Sequence, residues 1–309
     1  MKHKKFKLAA VLILAFVVLA WQSRTVEILE SFDDTDVAFV FLCVRGTPQE
    51  VKYAIQAGAN VNARSFDGLT ALMAASFNND LEVAAMLLQY GADVNARCSG
   101  GAGNQTVLMW ASSIAGNPEI ITKLVEHGAD VNARDFSGGT ALIRAAQNNN
   151  NPAIIAALVK HGADINASDS AGWTALMYAA ESNFDVELLD VSPGVIDALL
   201  KNGADVNARN SGGQTALMIL ASRAYNPETV AMLLENGANV NATDSEYGWT
   251  ALMWAAKFSS NPEIITLLLE NGADANVRDY YRRMAIDLAG DNLSIDKSDA
   301  LERFNKAGF

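Results

Sequence analysis

The stretch Asp67-Gly68-Leu69-Thr70-Ala71-Leu72-Met73-Ala74-Ala75, then Leu87-Leu88, then Gly91-Ala92-Asp93-Val94-Asn95, decides the fold of this 309-residue chain. Its last phrase recurs seven times with small variations, beginning at Gly58, Gly91, Gly128, Gly162, Gly203, Gly237 and Gly272. The spacings are 33, 37, 34, 41, 34 and 35 residues, and the Thr-Ala-Leu-Met phrase keeps the same register. Self-similarity at a period near 33 residues predicts a solenoid of stacked units.

Each repeat carries local signals for two helices and a turn. The Thr of the Thr-Ala-Leu-Met phrase suits a helix N-cap, because its hydroxyl can accept a backbone N–H that has no partner inside the helix. All six prolines precede a second apolar helical pattern, and Thr47-Pro48-Gln49-Glu50 reads as a capping box. The repeated glycines fall where a left-handed residue ends a helix. The sequence therefore specifies helix, helix and exit turn in every repeat.

These phrases resemble the ankyrin repeat. The resemblance implies an all-α solenoid of helix-turn-helix units with short turn or β-hairpin fingers, preceded here by an N-terminal signal or anchor helix. It covers a single domain over residues 36–309, with an N-terminal cap at 36–62, six internal repeats at 63–275 and a C-terminal cap at 276–309. One departure is uniform, since Ala or Val and then Met or Ile follow the Thr where the family usually has Pro and His.

Two insertions interrupt the period, and insertions in solenoids often lie on the binding side. One is the glycine-rich turn at 98–105, which predicts an exposed tip carrying Cys98. The other, at 181–192, mixes acidic and apolar residues between the two helices of the fifth repeat. Neutral variation in a tolerant loop explains both equally simply.

Residues 1–24 have the composition of an export signal or signal anchor, and a short linker at 25–35 follows. Four lysines precede an unbroken apolar run over residues 8–21. The run is short for a membrane span, which needs about 20 residues. Cleavage after Ala20 would release a periplasmic or secreted protein, whereas an uncleaved segment would anchor it to the cytoplasmic membrane. We therefore expect an exported bacterial protein.

Charge and residue types exclude several classes of function. The formal net charge is −12, so nucleic acid is not an expected partner. A row of arginines lies two residues after the repeat Asn, and we expect these to pair with neighbouring aspartates such as Asp135 and Asp279; the row is Arg64, Arg97, Arg134, Arg209 and Arg278. The chain has no Cys/His metal spacing and no phosphate-binding glycine loop, so no cofactor, metal or catalytic residue is expected.

The remaining histidines and cysteines have structural interpretations. His127 and His161 both precede a repeat glycine, which places them at a helix C-terminus where the helix dipole favours an imidazole. Cys43 lies in an apolar helix pattern, two repeats before Cys98, so we expect both to be free thiols.

The turns and first helices form the concave face where proteins resembling this family hold a partner, and here that face is aromatic. Aromatic side chains and Arg dominate binding hot spots. The candidate residues are Phe66, Phe136, Trp173, Tyr247, Trp249, Tyr280 and Tyr281 on the turns and Arg144 on a first helix. For Trp110, Tyr178 and Trp254, packing against the next repeat is the favoured interpretation.

The sequence thus favours a non-enzymatic scaffold that binds a protein partner outside the cytoplasm. No small-molecule substrate is expected. The alternative is an enzyme or small-ligand binder that uses the fifth-repeat insertion or the glycine-rich tip as a lid.

Overall fold

The computed structural model describes residues 35–77, 80–98, 103–181, 193–223, 226–290, 292 and 302–304. The predicted export segment, residues 25–34 of the predicted linker, the tip residues 99–102 and the insertion residues 182–192 lie outside this part. Within the described part of the chain, no helix is long and apolar enough to cross a membrane.

The described residues fold as short helices joined by turns, and they contain no strand longer than an isolated β-bridge. The helices are α1 Thr35–Arg45, α2 Pro48–Gln56, α3 Ala71–Phe77, α4 Leu81–Gln89, α5 Val107–Ile114, α6 Pro118–Glu126, α7 Ala141–Asn148, α8 Pro152–Lys160, α9 Ala175–Glu181, α10 Pro193–Lys201, α11 Ala216–Arg223, α12 Pro227–Glu235, α13 Ala251–Phe258, α14 Glu263–Glu270 and α15 Ala285–Ala289. Residues 302–304 are also helical. The predicted all-α repeat solenoid is confirmed.

These helices divide into two compact units. The first holds α1–α6 together with Ala141 and Lys160–Gly162, and the second holds Leu142–Val159 and the described residues from Ala163 onwards. In the first unit α1 packs on α3 and α3 on α5, while α4 lies between α2 and α6. In the second unit α9, α11, α13 and α15 pack in sequence, and α12 lies between α10 and α14. The predicted domain boundaries stay a prediction.

The helix signals act as the sequence predicted. The Thr70, Thr106, Thr174, Thr215 and Thr250 hydroxyls each accept the backbone N–H three residues later, at 3.2 to 3.4 Å. Thr47 and Glu50 form the predicted capping box. Five of the prolines open their helix, whereas Pro262 stands one residue before α14. The seven repeat glycines have φ between 85° and 100°, which only glycine adopts without strain.

The repeated Asn links one repeat to the next within each unit. In the second unit Asn241 donates through Nδ2 to the Gly272 carbonyl at 2.9 Å and accepts the Asp274 N–H through Oδ1 at 2.8 Å. In the first unit Asn95 does the same with Gly128 and Asp130, at 2.9 and 3.0 Å. An amide side chain can donate and accept at once, and this explains why Asn recurs at the position.

The turn fingers are held by backbone hydrogen bonds. Isolated antiparallel bridges close three of them, at Arg64 with Thr70, Arg97 with Thr106 and Ser168 with Thr174. These bridges confirm the predicted hairpin-like fingers.

Both cysteines are free and buried. For Cys98 this corrects the expectation of an exposed tip, because its side chain is only 1% exposed. Its backbone N–H donates to the Gln105 carbonyl, so the residue lies at the base of the finger rather than at its tip. Burial, and then the nearby Asp80 charge, raises the pKa of the Cys43 thiol to about 12.

Candidate partner-binding site

The site is built on the residue three positions after the repeat Asn. This residue is an aspartate in four repeats (Asp135, Asp169, Asp244 and Asp279) and an asparagine in one (Asn210). Its Oδ1 accepts backbone N–H groups of its own turn. Asp244 accepts three, from Glu246, Tyr247 and Gly248, at 2.7 to 3.1 Å. A short polar side chain that bonds the backbone ahead of it fixes a tight turn.

The second oxygen of the same carboxylate reaches an aromatic side chain. Asp169 Oδ2 accepts from the Tyr178 hydroxyl at 2.7 Å, and Asp244 Oδ2 accepts from Trp254 Nε1 at 2.9 Å. Burial and then the Asp169 hydrogen bond raise the pKa of Tyr178 to about 12. Each carboxylate therefore connects a turn to the first helix of its own repeat.

Asp279 extends this arrangement between neighbouring repeats of the second unit. Its Oδ2 accepts from Trp249 Nε1 at 3.0 Å and from Arg283 Nε and Nη2 at 2.9 and 2.8 Å. Burial alone would raise the pKa of this carboxyl, but hydrogen bonds from Arg283, Trp249 and the Tyr281 N–H outweigh it and lower the pKa. The carboxylate is thus held charged beneath the surface.

Next to Asp244 and Asp279, five aromatic side chains and one guanidinium line a cavity of about 410 Å³. We call this group the aromatic cluster; it consists of Tyr247, Trp249, Trp254, Phe258, Tyr281 and Arg283. It lies entirely within the second unit.

The rings of the cluster contact one another closely. The Trp249 ring lies 5.0 Å from Tyr247 and 5.1 Å from Trp254, while Trp254 stacks on Phe258 with centroids 5.5 Å apart. The Arg283 guanidinium lies 5.8 Å from the Trp249 ring centre and 5.0 Å from that of Tyr281. Such contacts hold the rings in place before any ligand arrives.

A family model described as ankyrin repeats in three copies matches residues 18–98, 108–190 and 189–279. The chain belongs to the ankyrin repeat family. A search of curated proteins finds no match.

The ankyrin fingers and first helices bring three of the predicted binding residues together: Tyr247, Trp249 and Tyr281. Trp249 is only 6% exposed, which corrects its assignment as a protruding tip residue, because its indole N–H is bound to Asp279. Tyr281 is exposed and Tyr247 is half-buried. The surface that a partner could reach therefore comes mainly from the rings of the cluster other than Trp249.

The other predicted residues lie outside the cavity lining. Trp173 forms a separate pair with Tyr178, with ring centres 5.2 Å apart, and the Arg144 Nη1 donates to Gln147 Oε1 at 2.8 Å. Tyr280 is exposed and packs its ring edge over Gly248. Phe66 and Phe136 are strongly exposed turn residues of the first unit.

Sequence reasoning missed Phe258 and Arg283 and assigned Trp254 to packing against the next repeat. Trp254 bonds and stacks within its own repeat, and it shares the cavity lining with Tyr281 and Arg283 of the next. A signal was present, since Trp254 and Phe258 are four residues apart on α13 and therefore share one helix face. Arg283 occupies the finger position that Trp249 holds one repeat earlier.

The arginine row was expected to pair with neighbouring aspartates, but the acceptors shown are backbone carbonyls. Arg64 Nη1 donates to the Arg97 carbonyl at 2.7 Å, and Arg97 Nη1 donates to the Arg134 carbonyl at 3.0 Å. Arg278 donates to the Arg282 carbonyl, while Asp279 pairs with Arg283. Asp279 was expected to pair with an arginine of the row, such as Arg278, but it forms its ion pair with Arg283.

The histidines lie at helix C-termini as predicted. His127 Nδ1 lies 2.9 Å from the Lys123 carbonyl, and His161 Nε2 lies 3.3 Å from Thr122 Oγ1. Among the described residues, no group of three or more His, Cys, Asp or Glu side chains could hold a metal ion.

Proposed function

We propose that this ankyrin repeat chain is a scaffold that holds a protein partner through its aromatic cluster. Ankyrin repeats generally mediate protein–protein interaction. The observation that carries the assignment is the ring-lined cavity, in which Phe258 and Tyr281 keep 51% and 68% of their surface exposed. Concentrated aromatic surface beside an Arg is the composition of an interface hot spot.

The test compares partner capture by tagged full-length chains. We expect the double variant Phe258→Ala, Tyr281→Ala to lose the proteins that the unaltered chain retains, because truncation at a hot spot costs about 2 kcal/mol or more. The matched control is Phe77→Ala, since Phe77 also ends a first helix and is 57% exposed.

Thermal unfolding midpoints of all three proteins should lie close together, because the altered side chains are substantially exposed. Unchanged capture by the double variant would refute the assignment.

We also propose that the chain acts outside the cytoplasm. The support is the lysine-flanked apolar run over residues 8–21, with Ala20 as the cleavage position. A fusion of the first 30 residues to a reporter that is active only after export should give signal. Activity confined to a cytoplasmic reporter would contradict the proposal, and N-terminal sequencing would separate cleavage from anchoring.

A further inference from the structure

The tryptophans of the aromatic cluster have no indole donor left for a ligand. Trp249 Nε1 and Trp254 Nε1 are bound to Asp279 and Asp244, at 3.0 and 2.9 Å. Both carboxylates are buried, and neither lines the cavity. What these two residues can offer a partner is therefore ring surface, whose face carries partial negative charge.

The cluster already holds one cation against its rings. The Arg283 guanidinium lies over Trp249 and Tyr281, within the roughly 6 Å range of cation–π contacts. Its ion pair with Asp279 at 2.8 Å offsets much of its charge, which weakens its repulsion of a second cation. A second cation can therefore make cation–π contacts at the end of the cavity that lies away from Arg283.

That other end is formed by Tyr247, Trp254 and Phe258 and lies next to two further carboxylates. Asp244 accepts its hydrogen bonds from three backbone N–H groups and the Trp254 indole, all of them neutral. The exposed Glu246 accepts a hydrogen bond from the Tyr247 hydroxyl, and this contact raises the pKa of Tyr247. Stacked rings with negative charge behind and beside them favour a positively charged, planar group.

We propose that this end of the aromatic cluster binds an arginine side chain from a basic segment of the protein partner. The guanidinium would lie on the Trp254 and Phe258 rings, with Glu246 as its ion-pair partner. Arginine fits better than lysine because its flat, weakly hydrated head stacks on rings. The net charge of −12 favours a basic partner over long range. This inference rests on the proposed function and specifies the chemistry of the partner at the same site.

The cavity volume is compatible with the proposal. About 410 Å³ is within the range of protein cavities that accept small ligands, so a single side chain can enter with room to spare. A proline-rich segment is less well matched, because its carbonyls need donors and both indole N–H groups are already used.

The test titrates the full-length chain with a synthetic peptide of alternating arginine and glycine, followed by calorimetry. The control peptide replaces each arginine by citrulline, which has the same shape without the charge. We expect the arginine peptide to bind about tenfold more tightly, which corresponds to about 1.4 kcal/mol. Binding should weaken in Phe258→Ala and Glu246→Gln and stay unchanged in Phe77→Ala.

Equal affinity for the arginine and citrulline peptides would overturn the inference, as would tighter binding of a proline-rich peptide or equal losses in Phe258→Ala and Phe77→Ala. Suppose that neither peptide binds, but the double variant Phe258→Ala, Tyr281→Ala still loses partner capture. This result would refute the binding of arginine and leave the proposed function standing. Failure of both peptides together with unchanged capture would refute both.

Discussion

The carboxylates of Asp169, Asp244 and Asp279 bind with both of their oxygens, and this double role explains an exception in the second internal repeat. There Cys98 stands where Asp169, Asp244 and Asp279 stand in later repeats. Trp110, which occupies the register of Tyr178 and Trp254, has a buried Nε1 with no hydrogen-bond partner in the part of the chain that the structure describes. A buried donor without an acceptor is unfavourable, so the Cys98 repeat lacks a stabilising contact that the Asp169 and Asp244 repeats possess.

This difference gives a prediction for a matched pair of substitutions. Trp254→Phe removes a donor from the buried Asp244 carboxylate and should cost about 1 to 3 kcal/mol, because hydrogen bonds to charged groups are strong. Trp110→Phe removes a donor that has no acceptor and should cost less. Chemical denaturation of both variants measures the two values. A larger loss for Trp110→Phe would contradict this account.

Asp279 predicts a dependence of stability on pH. Its folded pKa lies below the unfolded value of about 3.9, so its contribution to stability is complete above that value and is lost as pH falls through the folded pKa. We expect the thermal midpoint to fall on acidification from pH 5 towards pH 2. In Asp279→Asn, an amide keeps the turn contacts as Asn210 does, but it cannot hold the charge.

The Asp279→Asn variant should therefore be less stable than the unaltered chain at pH 7 and should lose less stability on acidification. Identical acid sensitivity of the two proteins would show that Asp279 does not carry the effect.

At the scale of the element, the sequence predicted the helices because their signals are local. Thr caps, prolines and left-handed glycines act through contacts within about four residues, so the helix ends can be predicted directly from the sequence. The burial of Trp249 could not be read in this way. It depends on Asp279 in the following repeat, 30 residues away.

The cluster was only partly predicted for the same reason. Tyr247 and Tyr281 were identified from their turns, and Phe258 could have been found from its spacing with Trp254, whereas Arg283 belongs to the cluster only because the last finger is adjacent to the preceding repeat. The repeated Asn residues that link neighbouring repeats, which we call the Asn ladder, were likewise visible in the sequence. That each of them donates and accepts a hydrogen bond between repeats became clear only from the structure.

The ladder predicts the cost of changing Asn241. Asn241→Ala removes both links to the next repeat and should destabilise the chain by about 1 to 2 kcal/mol, given a net value near 1 kcal/mol for each hydrogen bond. Asn241→Asp keeps the Oδ1 acceptor for the Asp274 N–H but places a carboxylate oxygen, which repels the Gly272 carbonyl, where Nδ2 donated. Hydrogen exchange of the Asp274 amide should accelerate in the Ala variant and change less in the Asp variant. Equal exchange rates in all three proteins would contradict the role assigned to the ladder.

At the scale of the whole molecule, aromatic surface is unevenly distributed along the described repeats. The exposed aromatics Phe66 and Phe136 lie on turns of the first unit. In the second unit five rings line one cavity, and two of them, Trp249 and Trp254, are hydrogen-bonded to buried carboxylates. Aromatic surface that is already ordered binds with less loss of conformational entropy than side chains that become ordered only on binding, and this supports our proposal of the cluster as the site of recognition.

The most direct measurement is site-specific photocrosslinking in cells that produce the full chain. A benzophenone amino acid is placed at position 258, and in a separate protein at the matched position 77. The account predicts a discrete adduct of one partner from position 258 and none of that mass from position 77. Mass spectrometry of the adduct should locate the linkage in a basic segment of the partner. The same adduct from position 77, or no adduct from position 258 in cells where the chain still captures its partner, would contradict the account.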